Sequence, residues 1–253
     1  MRRWGFIAAL WAAMLPAPLY AQCVDTYCTA VLADAPLEYY RLEEPSGTVA
    51  ADSSSGGLHP GTYNSSPTLG ATGAIASAAS NYAVSFAAAT DNMVANSNST
   101  SVGNWTIELW IKPNTFAQSG AVLDVFSNYS GYQPTVWLAG DDPAGPSLVL
   151  YDTGVCNETT TRVPISGATS WHHVVYAYNG ATAPYLTASL DGSPVSIPGC
   201  QMSPSWGAAP WGVKLGSVFN GTWNVNVQLD DVAIYGSALS TGRVAAHYAA
   251  AAA

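Results

Sequence analysis

Charge, and above all positive charge, is scarce in this sequence. Only seven of the 253 residues are Lys or Arg, against 16 Asp or Glu, and the net charge is −9. Such a chain repels phosphates, so nucleic acid is excluded as a favoured partner, and divalent cations are better candidates. Although 49% of the residues are hydrophobic, no run of about 18 apolar residues occurs outside the N-terminus, so no membrane span is expected beyond it.

The apolar N-terminal segment "MRRWGFIAALWAAMLPAPLYAQ" has the parts of a secretory signal. Two arginines precede an apolar stretch too short for a bilayer, two prolines end it, and Ala21 offers a small residue for cleavage. We therefore expect residues 1–21 to be removed and the protein to be secreted or periplasmic; an uncleaved anchor is the alternative. Residues 22–253 then contain five Lys or Arg against 16 acids, a net charge of −11.

Cysteine is also scarce, with four residues in all. An even number in an exported chain predicts disulfide bonds. Cys23 and Cys28 are close neighbours, while Cys156 and Cys200 lie far along the chain, so Cys23–Cys28 and Cys156–Cys200 are the expected pairs. Other connectivities stay open. A zinc site is a weak alternative, because neither a CxxC spacing nor a converging His pattern accompanies the cysteines.

Short strands separated by turn residues fill most of the chain. The segment "NWTIELWIKP" alternates most regularly, with Trp105, Ile107, Leu109 and Ile111 on one face. Many such strands, with helical character only at Thr241–Ala250, predict an all-β fold: a two-sheet antiparallel sandwich with a short C-terminal helix. We expect an N-terminal segment at 22–35 and a single domain at 36–250.

Four segments in register resemble the laminin G-like jelly rolls of the concanavalin A-like lectin/glucanase superfamily, in particular the bacterial extracellular type. They span roughly residues 36–248. They are "YYRLEEPSGTVAADSSSGGLHPGTY", "AVSFAAATDNMVA" with "WTIELWIKP", "WHHVVYAYNG" with "YLTASLDGSPV", and "LDDVAIYGSALSTGRVAAHY". The Ala-rich "AAAT" turn and the long middle segment with its cysteine pair depart from the family pattern.

The resemblance implies a jelly roll in which a structural calcium ion joins the first and last strands. Its ligands would be Asp52 in the opening loop and Asp230 and Asp231 in the closing strand, where the alternation slips as at a β-bulge. The alternative is that these acids only accept hydrogen bonds from backbone amides. Asp141 and Asp142 in "GDDP" are the next candidates for such an ion.

Enzymes of this superfamily commonly carry a Glu-x-Asp-x-x-Glu run, which the sequence lacks. Glu108 is the single acid on its strand. His172 and His173 are adjacent on a predicted strand and so point to opposite faces, which favours structural roles. No Gly-x-Ser-x-Gly elbow or phosphate-binding Gly loop occurs. We expect no catalytic residues and no enzyme activity.

Aromatic residues in Pro- and Gly-rich loops are the candidate ligand contacts, because exposed rings stack on the apolar faces of sugars. They are Trp206 and Trp211 in "SPSWGAAPWG" and Tyr129 and Tyr132 in "NYSGYQP"; the alternative is that these rings cover the ends of the sandwich. The sequence thus predicts a carbohydrate-binding or adhesion domain for a polysaccharide or glycosylated surface. A protein-interaction module without sugar binding is the second hypothesis, and a glycoside hydrolase or lyase is the third.

Overall fold

The computed structural model describes residues 23–78, 81–127, 134–152, 156–181, 183–202, 210–218 and 220–253. These residues form two antiparallel sheets packed face to face. The elements in chain order are α1 (Thr26–Ala33), β1 (Glu38–Tyr40), β2 (Val49–Ala50), β3 (Gly61–Asn64), β4 (Thr68–Thr72), β5 (Tyr82–Phe86), β6 (Asn92–Asn98), β7 (Trp105–Pro113), β8 (Ser119–Ser127), β9 (Thr135–Ala139), β10 (Ser147–Tyr151), α2 (Glu158–Thr161), β11 (Val163–Pro164), β12 (His172–Tyr178), β13 (Leu186–Leu190), β14 (Ser193–Val195), β15 (Trp211–Leu215), β16 (Val227–Tyr235) and α3 (Thr241–Ala251).

Each sheet has eight strands. The first, which we call the helix-side sheet, has the order β14-β13-β12-β7-β16-β5-β4, and β1 also pairs with β16. The second, the cleft-side sheet, has the order β11-β10-β9-β8-β15-β6-β3-β2. The all-β, two-sheet prediction is confirmed, and so is the short C-terminal helix, which is α3.

The main core lies between the two sheets and follows from the period-2 alternation of the strands. In β7, the predicted inward residues Trp105, Ile107, Leu109 and Ile111 all join this core. The opposite face of β7 is buried as well, since Trp110 belongs to a second apolar cluster that includes residues of α1 and α3. Both faces of the central strand are therefore covered, which explains why all of its residues except Lys112 are buried.

Helix α1 was not predicted from the sequence. It begins after the N-cap Asp25, whose carboxylate accepts a hydrogen bond from the Cys28 amide, and it packs against α3. Helix α1 lacks a strong amphipathic pattern of the kind that identifies a helix from sequence alone. Within the ranges described above, no helix is long and apolar enough to cross a membrane.

Both predicted disulfides are present. Cys23 is bonded to Cys28 at the start of α1, and Cys156 is bonded to Cys200. The second bond closes a separation of 44 residues and ties the segment before α2 to the segment after β14. The cysteines are thus structural, and the zinc alternative is wrong.

The slip of alternation in β16 is a β-bulge, as predicted. The register with β7 shifts between Asp230 and Ala233, and Asp231 adopts a positive φ of 46°. On its other edge β16 pairs with β5 before the bulge and with β1 after it. The bulge therefore marks the point where the last strand changes neighbours and where its two aspartates become buried.

Candidate functional site

An open cleft of about 780 Å³ lies on the outward face of the cleft-side sheet. Its floor is formed by β8, β9 and β10, and its walls by the loops that follow β9, β10 and β15. The volume is in the range of small-molecule binding sites. The described residues that line it are Ser119, Thr135, Trp137, Ala139, Asp141, Asp142, Pro143, Tyr151, Asp152, Glu158, Val218 and Trp223.

Three aromatic rings converge in this cleft. In β9, Val136 and Leu138 point into the core, so the alternation turns Trp137 outward. The ring of Trp137 lies 5.5 Å from that of Trp223 and 6.0 Å from that of Tyr151, centroid to centroid. Trp223 is 61% exposed. A large, exposed apolar ring beside two others offers the flat surface on which a sugar ring stacks.

The loop that carries Trp223 is held close to β8. The Ala121 amide donates to the Trp223 carbonyl at 2.8 Å. Gly120 permits this approach, because a Cβ at that position would lie 2.5 Å from the Asn224 carbonyl oxygen and 2.8 Å from that of Trp223. A glycine in the strand thus fixes the backbone beneath the exposed ring.

Four carboxylates surround the aromatic rings: Asp141, Asp142, Asp152 and Glu158. Asp142 accepts from the Ala144 amide at 2.7 Å and forms an ion pair with Arg162, and these bonds lower the pKa of its carboxyl group. Glu158 accepts from the Tyr151 hydroxyl at 2.5 Å. The cleft therefore combines stacking surfaces with several hydrogen-bond acceptors.

Glu158 is positioned by the short helix α2. Asn157 caps this helix with a capping box, and Thr161 at its end hydrogen-bonds both the amide and the carbonyl of Leu150 in β10. The Cys156–Cys200 disulfide fixes the chain directly before the cap. One edge of the cleft is thus tied covalently to a distant part of the chain.

The structure places the predicted aromatic residues differently. Trp211 was expected in an exposed loop, and this is wrong: it begins β15, is 1% exposed and donates from its indole nitrogen to the Thr100 carbonyl at 2.9 Å. Its ring is not available for stacking. Trp206, Tyr129 and Tyr132 lie outside the described residues, and their roles stay predictions. Sequence reasoning missed Trp137, although the outward position of a Trp between core residues in "TVWLA" was a usable signal.

A second group of carboxylates lies at the bulge of β16. Glu43, Asp230 and Asp231 each place one oxygen within 4.8 Å of the others, the one group of metal-ligand type among the described residues. Asp230 and Asp231 are fully buried, and Oδ1 of Asp230 has no hydrogen-bond partner. Burial is the main cause that raises the pKa of both aspartates. The charge of Asp231 raises the pKa of Asp230 further. The pKa of Asp231 is raised to about 8, although Arg41 opposes this rise.

Asp52 does not belong to this group, which corrects its predicted role. Its two carboxylate oxygens accept hydrogen bonds from the backbone amides of Tyr39, Ser54 and His59 at 3.0 to 3.1 Å. Asp52 therefore fits the alternative prediction, in which the carboxylate only accepts hydrogen bonds from backbone amides. Glu43, which follows β1, takes the predicted position opposite Asp230 and Asp231.

The carboxylates at the bulge fit a divalent cation. Calcium prefers oxygen ligands, and the unpartnered Oδ1 of Asp230 is a donor of that type. Arg41 pairs with Asp25 at 2.8 Å, lies 3.6 Å from Glu43 and also interacts with Asp231, so one guanidinium serves three carboxylates in this region. Burial raises the pKa of both aspartates, and a bound cation would favour their ionised forms.

Glu108, predicted to stand alone on its strand, is the centre of a buried network. Its carboxylate accepts from Tyr27 of α1 at 3.0 Å and from Tyr235 of β16 at 2.7 Å. His173 lies 2.8 Å away and His247 of α3 lies 3.0 Å away. Burial alone would raise the pKa of Glu108, but the hydrogen bonds from the two histidines outweigh it and hold that pKa well below its usual range.

The two neighbouring histidines have separate partners, as predicted. His172 contacts Asp191 and the Ser166 carbonyl, whereas His173 contacts Glu108. The Glu108 network is closed to solvent, since Glu108, His173 and His247 are all fully buried. Its contacts join helices α1 and α3 to the sheet, which is a structural role.

A sandwich of two antiparallel sheets is the architecture of a jelly roll. The model of the Laminin_G_3 family, in the concanavalin A-like lectin/glucanases superfamily, matches residues 87–245. The chain belongs to this family, as the resemblance indicated. A search of curated protein sequences found no match.

Several solved structures share the fold at low sequence identity. The Trypanosoma rangeli sialidase in complex with 2,3-difluorosialic acid has a TM-score of 0.62 at 9% identity; 85% of this chain aligns with 33% of the sialidase. Domain 4 of an extracellular GH43 arabinanase from Geobacillus stearothermophilus, in complex with arabinotriose, has a TM-score of 0.57 at 15% identity, covering 83% of this chain and 96% of that domain. The ligand-binding domain of botulinum neurotoxin serotype D, in complex with N-acetylneuraminic acid, has a TM-score of 0.59 at 12% identity, covering 88% of this chain and 52% of that one.

The prediction that the chain is not an enzyme is contradicted by these comparisons. The similar structures belong to sialidases and to a domain of a GH43 arabinanase, so the fold occurs in proteins that cleave glycosidic bonds. This chain spans about a third of the length of those sialidases. The missing Glu-x-Asp-x-x-Glu run is therefore no ground for excluding catalysis.

Proposed function

We propose that this protein is an extracellular carbohydrate-binding protein whose ligand occupies the cleft lined by Trp137, Tyr151 and Trp223. The observation that carries the proposal is the convergence of three aromatic rings, one of them largely exposed, with hydroxyl and carboxylate groups around them. Rings bind the apolar faces of a sugar, and the polar groups at the rim fix its hydroxyls. The two disulfides support an extracellular location.

The comparisons support the same proposal in a general way. Two of the similar structures hold a saccharide, arabinotriose in one and N-acetylneuraminic acid in the other. At 15% and 12% identity they share only the fold with this chain, and fold does not fix function. The cleft itself, with its aromatic floor, is the stronger argument.

The test is a glycan array followed by calorimetric titration of the strongest binder. We expect Trp137→Ala and Trp223→Ala each to weaken that binding at least ten-fold, about 1.4 kcal/mol, because each removes a stacking surface. Trp171→Ala is the matched control: Trp171 precedes β12 in the helix-side sheet and lies 5.0 Å from the Lys112 ammonium. The control should bind as the unchanged protein does.

Two results would redirect the proposal. Unchanged affinity in both cleft variants would move the site away from this cleft, with Trp206, Tyr129 and Tyr132 next to be tested. Binding to protein ligands without any glycan binding would favour the protein-interaction hypothesis. Release of reducing sugars from the bound glycan is measured in the same experiment, and it would show that the cleft also catalyses hydrolysis.

We further propose that a calcium ion binds Glu43, Asp230 and Asp231. The proximity of these carboxylates and the partnerless Oδ1 of Asp230 support it. Bound there, the ion would supply a link between the segment after β1 and the bulge of β16. Its role would be structural, since these aspartates are fully buried.

A further inference from the structure

We propose that the cleft selects uncharged saccharides and rejects those that carry a carboxylate, sulfate or phosphate. This inference rests on the proposed function and adds the class of ligand to it. It is carried by the sign of the charges around the cleft: four described lining residues are acidic and none is Lys or Arg. An anionic ligand seated on the three rings would meet carboxylates on several sides.

The charges of at least two of these carboxylates are not offset by the partners that the structure gives them. The positive charge of Arg162 is already paired with Asp142. Asp141 accepts a hydrogen bond from the Ser119 hydroxyl, and Glu158 accepts one from the Tyr151 hydroxyl. Both donors are neutral, so they orient these carboxylates without reducing their negative charge.

Residues 23–253 offer the cleft no further Lys or Arg. Beyond residue 22 there are five Lys and Arg residues, and each has an acidic or aromatic neighbour: Arg41 with Asp25, Lys112 with Trp171, Arg162 with Asp142, Lys214 with Asp124, and Arg243 with Asp34. The segments between 128 and 219 that lie outside the described ranges are "NYSGYQ", "TGV", "T", "SPSWGAA" and "F", and they contain no charged residue.

No group of three or more metal-ligand side chains converges among the described residues of the cleft. Among the described residues the only converging group of metal-ligand type is the one at Glu43, Asp230 and Asp231. The acids of the cleft therefore act as hydrogen-bond acceptors along its wall. Hydroxyl groups of a neutral sugar are donors that suit such acceptors, and hydrogen bonds to a charged acceptor are the stronger kind.

The experiment compares one glycan in three forms. The strongest uncharged binder from the array is oxidised at its primary hydroxyls to the carboxylate, and part of that product is converted to the methyl ester. The ester has the added bulk of the carboxylate without its charge. Affinities of the full protein for all three forms are measured at 20 mM and at 500 mM NaCl.

We expect the carboxylated form to bind at least ten-fold more weakly than the methyl ester at 20 mM NaCl. The difference should shrink at 500 mM NaCl, because salt screens the repulsion. It should also shrink in the double variant Asp141→Asn, Glu158→Gln. Asp191→Asn, which removes a partly exposed carboxylate from the helix-side sheet, should leave the difference unchanged.

The outcomes separate this inference from the proposed function. Anionic glycans as the main array binders, or a carboxylated form that binds as tightly as its ester, would overturn the inference while cleft-dependent binding stands. A salt-independent difference that persists in the double variant would overturn it too, since shape and not charge would be the cause. Absence of any glycan binding would overturn the proposed function and the inference together.

Discussion

Among single residues, Glu108 shows how much a buried charge depends on its partners. A carboxylate with no access to water is costly unless donors surround it, and Tyr27, Tyr235, His173 and His247 do so. Both ring nitrogens of His247 lie beside carboxylates, since Nε2 is 2.8 Å from Asp34, itself paired with Arg243. The charged form of this histidine is thus well satisfied.

We predict that Glu108→Gln destabilises the protein by about 3 kcal/mol or more, because it removes the buried charge to which His173 and His247 are hydrogen-bonded. At 2–4 °C per kcal/mol, the melting temperature should fall by about 6–12 °C. Thermal unfolding followed by circular dichroism measures it. Glu158→Gln, a change of the same kind at an exposed site, should shift the melting temperature by less than about 2 °C. A small shift in Glu108→Gln would contradict the role of the network.

The same network predicts how stability depends on pH. Hydrogen bonds from the histidines lower the pKa of Glu108, so its contribution is present above its unfolded pKa and is lost as the pH falls. Burial lowers the pKa of His247, but Glu108 and Asp34 outweigh burial and raise it. The contribution of His247 to stability is therefore present below its unfolded pKa and is lost as the pH rises through its folded pKa. The stabilisation should therefore be greatest between about pH 4.5 and 6.5.

That optimum is measured as the difference in melting temperature between the unchanged protein and Glu108→Gln across pH 3 to 9. Tyr27, Tyr235, His173, Asp34 and Arg243 are the other titratable or charged groups that face the pair. The difference should shrink on both sides of the optimum. A difference that is constant over this range would show that packing, and not charge, holds the helices.

At the scale of an element, helix α2 has only four residues and depends on what fixes its ends. The capping box supplies hydrogen bonds at its start, and the Cys156–Cys200 disulfide lies next to that cap. A loop of 44 residues closed by a disulfide is worth up to about 4 kcal/mol in the chain-entropy model. Because Glu158 is carried by α2, the same bond also shapes the cleft.

We predict that replacing Cys156 and Cys200 together by Ala lowers the stability by about 2–4 kcal/mol and weakens glycan binding. Urea unfolding and titration with the array binder measure the two effects. The control is the double replacement of Cys23 and Cys28 by Ala. The disulfide between them closes a loop of only five residues at α1, far from the cleft in sequence. If the control weakens binding as much as the test variant, the effect is general and not specific to α2.

At the scale of the whole molecule, residues from the two ends of the chain meet at the bulge of β16. Strand β1 pairs with β16 in the register Glu38–Ile234, and Glu43 lies beside Asp230 and Asp231. The helices repeat this closure, because the Thr26 hydroxyl of α1 donates to the Ala250 carbonyl of α3 at 2.5 Å. A cation at the bulge would join parts of the chain nearly 190 residues apart.

We predict that calcium at about 100 times its dissociation constant stabilises the fold by about 2.7 kcal/mol, which raises the melting temperature by about 5–10 °C over that in excess chelator. Asp230→Asn should abolish this difference, since it removes the charge of a fully buried ligand. Asp52→Asn is the control and should retain it. Equal melting temperatures with calcium and with chelator would refute the site, and an effect that survives Asp230→Asn would direct attention to Asp141 and Asp142.

The sequence by itself determined the two-sheet architecture and the C-terminal helix, and it favoured the two disulfide pairs that the structure contains. Side chains alternate between the two faces of a strand with a period of two residues, so the core face of β7 can be predicted from ten consecutive residues. The slip at Asp230 and Asp231 likewise predicted a bulge from neighbouring residues alone. The family resemblance added the expectation of a metal site at that bulge.

Only the tertiary structure decided which side chains meet. Trp137, Tyr151 and Trp223 come from three separate segments and converge because β9 pairs with β10 and because the loop after β15 folds back onto β8. Glu43 rather than Asp52 faces the bulge, and Trp211 belongs to a strand rather than a loop. These outcomes depend on strand order and register across the sheets, which are set by packing between residues distant in sequence and leave no signal in the local pattern.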